Sequence, residues 1–266
     1  MAIEKSITLT TFELASCLTL CGYESMANQV INDIGMNKDL NMINRLVEQT
    51  EGSLRVKGFF DDNSPTMLVS GLENLLHLLV QSKKKIRCIR GEHVLFIHLL
   101  NQHKVLVQDI RNQNHTFSIQ MLKESTLKRL IKDHLELKNT DIPFKEELNA
   151  LMFTESLFDE IHYLDTTILE QMYTDKSLDR EFRIFLDDFN NSKQEFNNIS
   201  FMEMDYIKDF LELKQVHFML INEQFIWHLD YENIQDDKIY IIPLGIEDYF
   251  TKLTQNIKDF FALVNV

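Results

Sequence analysis

The hydrophobic pattern of this chain changes from a helical period to a strand period. Behind Ser64-Pro65, leucines recur at helical spacing: Leu68, Leu72, Leu75, Leu76 and Leu79. Ser64 is a suitable N-cap and Pro65 a suitable first residue, so a helix is predicted to begin there. The period then becomes two in four segments that short turns separate: Lys85–Arg90, His93–Leu100, Lys104–Ile110 and His115–Met121. This spacing predicts an antiparallel meander, after which a helix begins at Ser125.

The same change of period is predicted near the carboxyl end. A capping box at Ser200 and Glu203 predicts a helix over Met202–Leu213. Three strand-like segments follow it, Gln215–Ile221, Gln224–Leu229 and Lys238–Pro243. The last helix, after Gly245, carries a wide apolar stripe made by Ile246, Tyr249, Phe250, Leu253, Ile257, Phe260, Phe261 and Val264. The order helix, antiparallel strands, helix thus occurs twice, at 65–136 and 202–264.

We therefore predict an α+β fold of antiparallel sheets flanked by helices. It would form a single domain over residues 1–266, in two pseudo-similar halves, 1–143 and 202–266, with an intervening acidic helical segment, 144–201. Helices are predicted in and around that segment at Phe144–Leu151, Glu155–Tyr173 with a possible break, and Ser177–Phe189. Near the amino end, a capping box at Thr10 and Glu13 predicts a helix that Gly22 ends, and two short helices follow at Met26–Ile31 and Asp39–Glu48.

The charge of the chain disfavours a nucleic-acid binder. The formal net charge is −14, whereas binding to phosphate backbones depends on Lys and Arg. The acidity is concentrated in residues 145–212, which hold 17 Asp and Glu against 6 Lys and Arg. This stretch is either a solvated helical surface or a binding surface for a partner. The basic cluster, Lys83-Lys84-Lys85 with Arg87 and Arg90, is interpreted as a solubilising turn.

The sequence offers no recognisable catalytic constellation. The motifs GxSxG, GxxxxGK[ST], HExxH and GxGxxG are absent. Cys17 and Cys21 lie one helical turn apart and are expected to be buried side chains, and the trio Asp159, His162 and Asp165 is expected to be a chance spacing. We therefore expect no enzyme activity, no cofactor and no metal. An enzyme with an unfamiliar site would need a pocket that gathers His and carboxylates.

The sequence has no secretory signal and no apolar run long enough to span a membrane, which predicts a cytoplasmic protein without membrane insertion. Its two ends resemble a known family. The opening segment Phe12-Glu-Leu-Ala-Ser-Cys-Leu-Thr-Leu-Cys-Gly22 is similar to the first helix of the EspG-type secretion chaperones and their Firmicute counterpart EsaE. The closing segments, Phe225-Ile-Trp-His-Leu229, Asp237-Lys-Ile-Tyr-Ile241 and Gly245-Ile-Glu-Asp-Tyr-Phe-Thr-Lys-Leu253, resemble that family's last strand pair and amphipathic helix.

The resemblance implies a cytoplasmic chaperone of a type VII (ESX) secretion system. Such a protein binds a secreted helical-hairpin protein or a toxin client and keeps it soluble for export. In the family, loops of the first sheet and the C-terminal helical layer contact the client. The hairpin that matches those loops here has Leu99, Asn101, Gln102 and Lys104 as candidate residues. From the residues themselves we add the Phe196–Phe201 segment, interpreted as an apolar loop with Phe196, Ile199 and Phe201 as candidates. A loop that faces the interior would explain this segment equally well. The alternative is an immunity or antitoxin protein whose acidic surface neutralises a basic toxin.

Overall fold

A computed structural model describes residues 6–32, 49–137, 144, 148–205, 210–235 and 238–262. The chain divides into two compact units. The first unit comprises Met1–Ile86, Glu92–Leu122 and Met202–Lys214. The second unit comprises Arg87–Gly91, Lys123–Phe201 and Gln215–Val266. The residues predicted to be a separate acidic segment therefore belong to the second unit.

Among the described residues, the first unit consists of an antiparallel meander and four helices. Its elements are β1 (Ile7–Thr10), α1 (Thr11–Leu20), α2 (Glu24–Asn32), the helical residues 49–56 labelled α3, α4 (Ser70–Gln81), the start of β2 (Lys84–Arg90), β3 (His93–Asn101), β4 (Lys104–Arg111) and β5 (Asn114–Met121). Strands β3, β4, β5 and β1 are neighbours in that order, and each pair is antiparallel. The predicted meander is therefore confirmed.

The second unit repeats this plan. Its elements are α5 (Glu124–His134), β6 (Leu151–Thr154), α6 (Glu155–His162), α7 (Thr166–Thr174), α8 (Arg180–Asn191), β7 (Asn197–Asp205), β8 (Phe210–Ile221), β9 (Phe225–Gln235), β10 (Lys238–Gly245) and α9 (Ile246–Phe261), with β7 and β8 giving residues to both units. Strands β8, β9, β10 and β6 are antiparallel neighbours in that order. Along the chain, a short strand, helices, four strands and a closing helix occur twice. The structure thus confirms an α+β fold of antiparallel strands flanked by helices, and the second occurrence of this order includes the segment predicted to lie between the halves.

Local sequence signals place several element ends correctly. The Glu13 amide donates to Thr10 Oγ1 at 3.2 Å and the Thr10 amide donates to Glu13 Oε2 at 2.7 Å, which forms the predicted capping box. Gly22 has φ +79°, the left-handed conformation that ends a helix. The five leucines predicted on one helical stripe are all buried: Leu68, Leu72, Leu75, Leu76 and Leu79. The predicted break in Glu155–Tyr173 lies between α6 and α7.

One predicted helix start and two predicted helices are wrong. The predicted start at Ser64-Pro65 is a turn, in which the Met67 amide donates to the Ser64 carbonyl at 3.0 Å, and α4 begins at Ser70. The predicted helix Phe144–Leu151 gives way to irregular residues 148–150 and strand β6. The predicted helix Met202–Leu213 is also wrong, because among its described residues 202–205 belong to β7 and 210–213 belong to β8. Ile199–Met202 are buried as four consecutive strand residues, a pattern of strands covered on both faces. The predicted helix Asp39–Glu48 lies outside the described residues.

In the second unit, helices cover both faces of the strands. Leu220 lies opposite Trp227 and Met219 lies opposite His228 in the β8–β9 pair, so neighbouring side chains face opposite sides. Trp227 packs edge-on against Phe185 of α8, with ring centroids 5.8 Å apart. His228 instead packs against Tyr249 of α9 at 5.7 Å. Helix α8 thus lies with α6 and α7 on one side of these strands, where they shape the surface considered next.

Candidate functional site

The second unit contains a surface groove with an aromatic wall. Its volume is about 310 Å³, and its lining residues are Ile89, Gly91, Phe158, His162, Glu195, Phe196, Phe218 and Leu229. These residues come from the end of β2 and its turn, from α6, from the segment before β7, and from β8 and β9. We call this surface the aromatic groove. It is large enough for one or two apolar side chains of a partner.

Helix α6 supplies one wall of the aromatic groove. Thr154 caps this helix by accepting the Leu157 amide at 3.2 Å, which sets where its first turn begins. Phe158 and His162 are four residues apart and therefore lie on one face of the helix. The Phe158 ring lies 5.6 Å from Phe196, which in turn lies 5.4 Å from Phe189. Phe158 and Phe196 are each only half-buried, so they leave apolar ring surface in contact with water.

A second hollow lies on the adjoining side of α6. It is lined by Glu155, Ser156, Asp159, Glu160, Tyr163 and Leu164. The Tyr163 side chain is 85% exposed. We call Glu155, Asp159, Glu160 and Tyr163 the acidic shelf. Within the part of the chain that the structure describes, no Lys, Arg or His forms an ion pair with these three carboxylates or with Glu195.

The hairpin predicted to bind the client lies in the first unit. It joins β3 to β4, with Asn101 opposite Lys104 and Leu99 opposite Val105. Asn101 Oδ1 accepts the His103 amide at 2.8 Å and so stabilises the turn. Asn101, Gln102 and Lys104 are exposed and Leu99 is half-buried. On β5, Met121 lies opposite Lys104 and is 49% exposed, so the polar tip of the hairpin adjoins apolar surface.

The prediction that Phe196–Phe201 form a loop is wrong. From Asn197 onward this segment is strand β7. Ile199 and Phe201 have no exposed surface, because they lie in the interior of the fold. Among the three candidates from this segment, only Phe196 reaches a surface, where it lines the aromatic groove. Ile199 and Phe201 therefore offer nothing to a partner in this structure.

The residues considered as a metal trio face different surroundings. His162 lines the aromatic groove, Asp159 lines the acidic shelf, and Asp165 caps α7 by accepting the Thr167 amide at 2.8 Å. Across the described residues, no three His, Cys, Asp or Glu side chains come together to hold a metal ion. Cys17 is buried as predicted, and burial raises the pKa of its thiol to about 12, whereas Cys21 is only partly buried.

The predicted basic cluster is dispersed in the structure. Lys83 pairs with Asp205 at 3.1 Å and Arg90 pairs with Glu136 at 2.8 Å. Lys85 is 1% exposed, and burial lowers the pKa of its ammonium group to about 7. The interpretation of this cluster as a solubilising turn is therefore wrong, because residues from Lys84 onward form strand β2 and Lys85 is buried.

A chain of buried polar groups in the first unit is structural. His98 donates to Gln108 at 3.0 Å, and Gln108 donates to Nδ1 of His115 at 2.8 Å. His115 then donates through Nε2 to Thr11 at 3.1 Å, and the Thr11 hydroxyl donates to the Gln113 carbonyl at 3.0 Å. Burial lowers the pKa of His98 to about 3 and that of His115 to about 4. Both rings are therefore neutral at pH 7 and hold the strands in register with α1.

Sequence reasoning missed Phe158, Phe218 and the acidic shelf as parts of a surface. The only local signal was the spacing of Phe158 and His162 beside Asp159 and Glu160.

None of the described helices is both long and apolar enough to cross a bilayer.

No family model matches the chain, and no curated protein matches it in sequence. A likeness appears among solved structures. The chain is similar in fold to the Mycobacterium tuberculosis type VII secretion system chaperone EspG5, solved in complex with the PE25–PPE41 dimer, with a TM-score of 0.53 and 9% sequence identity. The likeness covers 98% of this chain and 95% of the EspG5 chain. At this identity it shows an EspG-like fold and does not transfer a function.

Proposed function

We propose that this protein is a cytoplasmic chaperone that binds a secreted helical client and keeps it soluble for export by a type VII secretion system. The fold that it shares with EspG5 supports this proposal, as does the PE25–PPE41 dimer in the EspG5 complex. A type VII toxin is the other kind of client that such a chaperone would carry. Binding of this kind needs no cofactor and no catalytic group.

The aromatic groove is the observation that carries the proposal. A helical client exposes apolar side chains at its tip, and these promote aggregation unless another protein covers them. A groove of about 310 Å³ with the half-buried rings of Phe158 and Phe196 covers an apolar anchor of that size. Helix-in-groove recognition uses such anchors at helical spacing. The hairpin residues Leu99, Asn101, Gln102 and Lys104 are proposed as a further contact with the client.

Affinity purification of the tagged protein from its native host tests the proposal. We expect a small helical protein or a type VII toxin to co-elute in stoichiometric amount at moderate salt. Phe158→Ser and Phe196→Ser should each lose that protein. Leu157→Ser is the matched control, because Leu157 lies on the same helix, is 42% exposed and does not line the groove. The absence of any stoichiometric partner, or equal recovery by all variants, would contradict the proposal.

An immunity protein is the second candidate, and the unpaired carboxylates of the acidic shelf favour it. In that case the co-eluting protein would be a basic toxin whose activity is inhibited in the complex. A toxin assay on the purified complex separates the two functions, since a chaperone delivers its client for export and has no need to inhibit it.

A further inference from the structure

We infer that the client anchors an apolar side chain in the aromatic groove and places a lysine or arginine of the same helix on the acidic shelf. This inference rests on the proposed function and adds the chemical character of the client. The structure assigns the groove and the shelf to two sides of one short helix, α6, so that a single partner helix reaches both.

The geometry of α6 makes the two hollows neighbours. Successive residues of a helix are about 100° apart, so Phe158 and His162 share one side. Asp159 follows Phe158 and Tyr163 follows His162, so both lie on the adjoining side of the helix, in the acidic shelf. A partner helix is about 10–12 Å wide with its side chains, which suits contact with both sides of α6.

The charge around the groove is not compensated within the described residues. Residues 155–175 contain six Asp and Glu and no Lys or Arg. Some acidic groups elsewhere in the second unit are paired: Lys132 lies 2.6 Å from Glu247 and Lys258 lies 2.7 Å from Glu124. Unpaired carboxylates repel one another, and a cation relieves this repulsion. An anionic partner, such as a nucleic acid or an acidic lipid surface, would be repelled.

Tyr163 adds a second reason to expect a cation. Its ring is 85% exposed beside Asp159 and Glu160, and an exposed aromatic face next to carboxylates attracts ammonium and guanidinium groups. Glu195 extends the negative charge to the groove itself. Charge complementarity therefore selects a basic amphipathic helix as the occupant, rather than a neutral or acidic one.

Synthetic helical peptides test the inference with the full-length protein. Three labelled peptides share one Leu/Phe face and carry Lys, Ser or Glu at the flanking positions, and fluorescence anisotropy measures their affinity. We expect the Lys peptide to bind tightest at about 50 mM NaCl and to lose affinity at about 500 mM, where charges are screened. Asp159→Lys should weaken it by about tenfold, because the shelf then repels the flanking lysine.

Glu223→Lys is the matched control, since it makes the same change in net charge at an exposed position outside the groove and the shelf. It should change the affinity by less than about twofold, as expected for a remote surface charge. Equal binding of the three peptides, with Asp159→Lys behaving as the wild type, overturns the inference. In that case Phe158→Ser tests whether the peptides bind in the aromatic groove. Weaker peptide binding by this variant would leave the chaperone proposal standing. If no peptide binds the wild type, the inference is also wrong, and co-purification from the host judges the proposed function separately.

Discussion

Two carboxylates in the interior, Glu13 in α1 and Asp188 in α8, end with opposite pKa shifts. Burial raises the pKa of Glu13, but bonds from Lys57, Ser53 and the Thr10 amide outweigh this effect and hold the pKa below its usual value. Burial also raises the pKa of Asp188, and there the bonds from the Trp227 indole and Asn222 do not outweigh it, so the pKa is about 6. Neutral donors stabilise a buried carboxylate less than an ammonium group does. Glu13 is thus charged at pH 5, whereas Asp188 is largely protonated.

The raised pKa of Asp188 predicts a pH dependence of stability. Between about pH 4 and pH 6 the folded protein keeps a proton that the unfolded chain has lost. The contribution of Asp188 to the free energy of unfolding is therefore fully present below about pH 4. It decreases as the pH rises to about 6, by an amount on the order of 3 kcal/mol. Asp188→Asn should remove this decrease, which urea denaturation between pH 4 and pH 7 measures.

Trp227 reports on the same group, because it is the only tryptophan and its Nε1 donates to Asp188 at 2.8 Å. We expect its fluorescence to titrate with a midpoint near pH 6 in the wild type and to be flat in Asp188→Asn. Asp187→Asn is the control: Asp187 is exposed and adjacent, and its negative charge contributes to the raised pKa of Asp188, so this variant should keep the titration with a lower midpoint. A titration that persists unchanged in Asp188→Asn would show that another group is responsible.

At the scale of the element, strand β7 separates residues that hold the fold from residues that form its surface. Ile199 is fully buried in β7, whereas Phe196, three residues earlier, is half-buried in the wall of the groove. Ile199→Ala should lower the free energy of unfolding by about 2–4 kcal/mol, as large-to-small core substitutions do. Phe196→Ser should cost less stability and should weaken client binding more. Urea denaturation measures the first effect and co-purification the second, and the reverse ranking would contradict this division.

The β3–β4 hairpin makes a separate prediction. Asn101→Arg combined with Gln102→Glu changes two exposed side chains. The double variant should lower the free energy of unfolding by about 1 kcal/mol, because it loses only the hydrogen bond that the His103 amide donates to Asn101. If the hairpin contacts the client, the double variant should recover less of it from the host. The single variant Gln102→Glu keeps the turn intact and serves as the control. Normal recovery by the double variant would remove the hairpin from the proposed interface.

For the whole molecule, the net charge of −14 should make stability depend on salt. Like charges repel more strongly in the compact fold than in the extended chain, and the acidic stretch 155–175 concentrates this repulsion. We expect the free energy of unfolding to rise by an amount on the order of 0.5 kcal/mol between about 20 and 200 mM NaCl. The urea midpoint should rise with it. The variant Asp159→Asn with Glu170→Gln should respond less. A midpoint that falls with salt would show that ion pairs such as Lys258–Glu124 dominate instead.

The sequence by itself determined the parts of this protein that depend on near neighbours. The capping box at Thr10 and Glu13, the helix end at Gly22 and the short turns of the meander were predictable, because each involves residues a few positions apart. The α+β class followed from the change of hydrophobic period. The acidity of residues 145–212 was equally evident, since charge is a property of composition.

Only the tertiary structure decided the rest. The pattern at Met202–Leu213 suits a helix locally, but burial of consecutive residues from both faces makes Ile199–Met202 part of a strand. The aromatic groove brings Ile89, Phe158 and Leu229 together, and no local pattern relates residues so far apart. Which aromatic side chains reach a surface and which lie in the core depends on what lies across from them, and that is set when the helices and strands of the second unit pack.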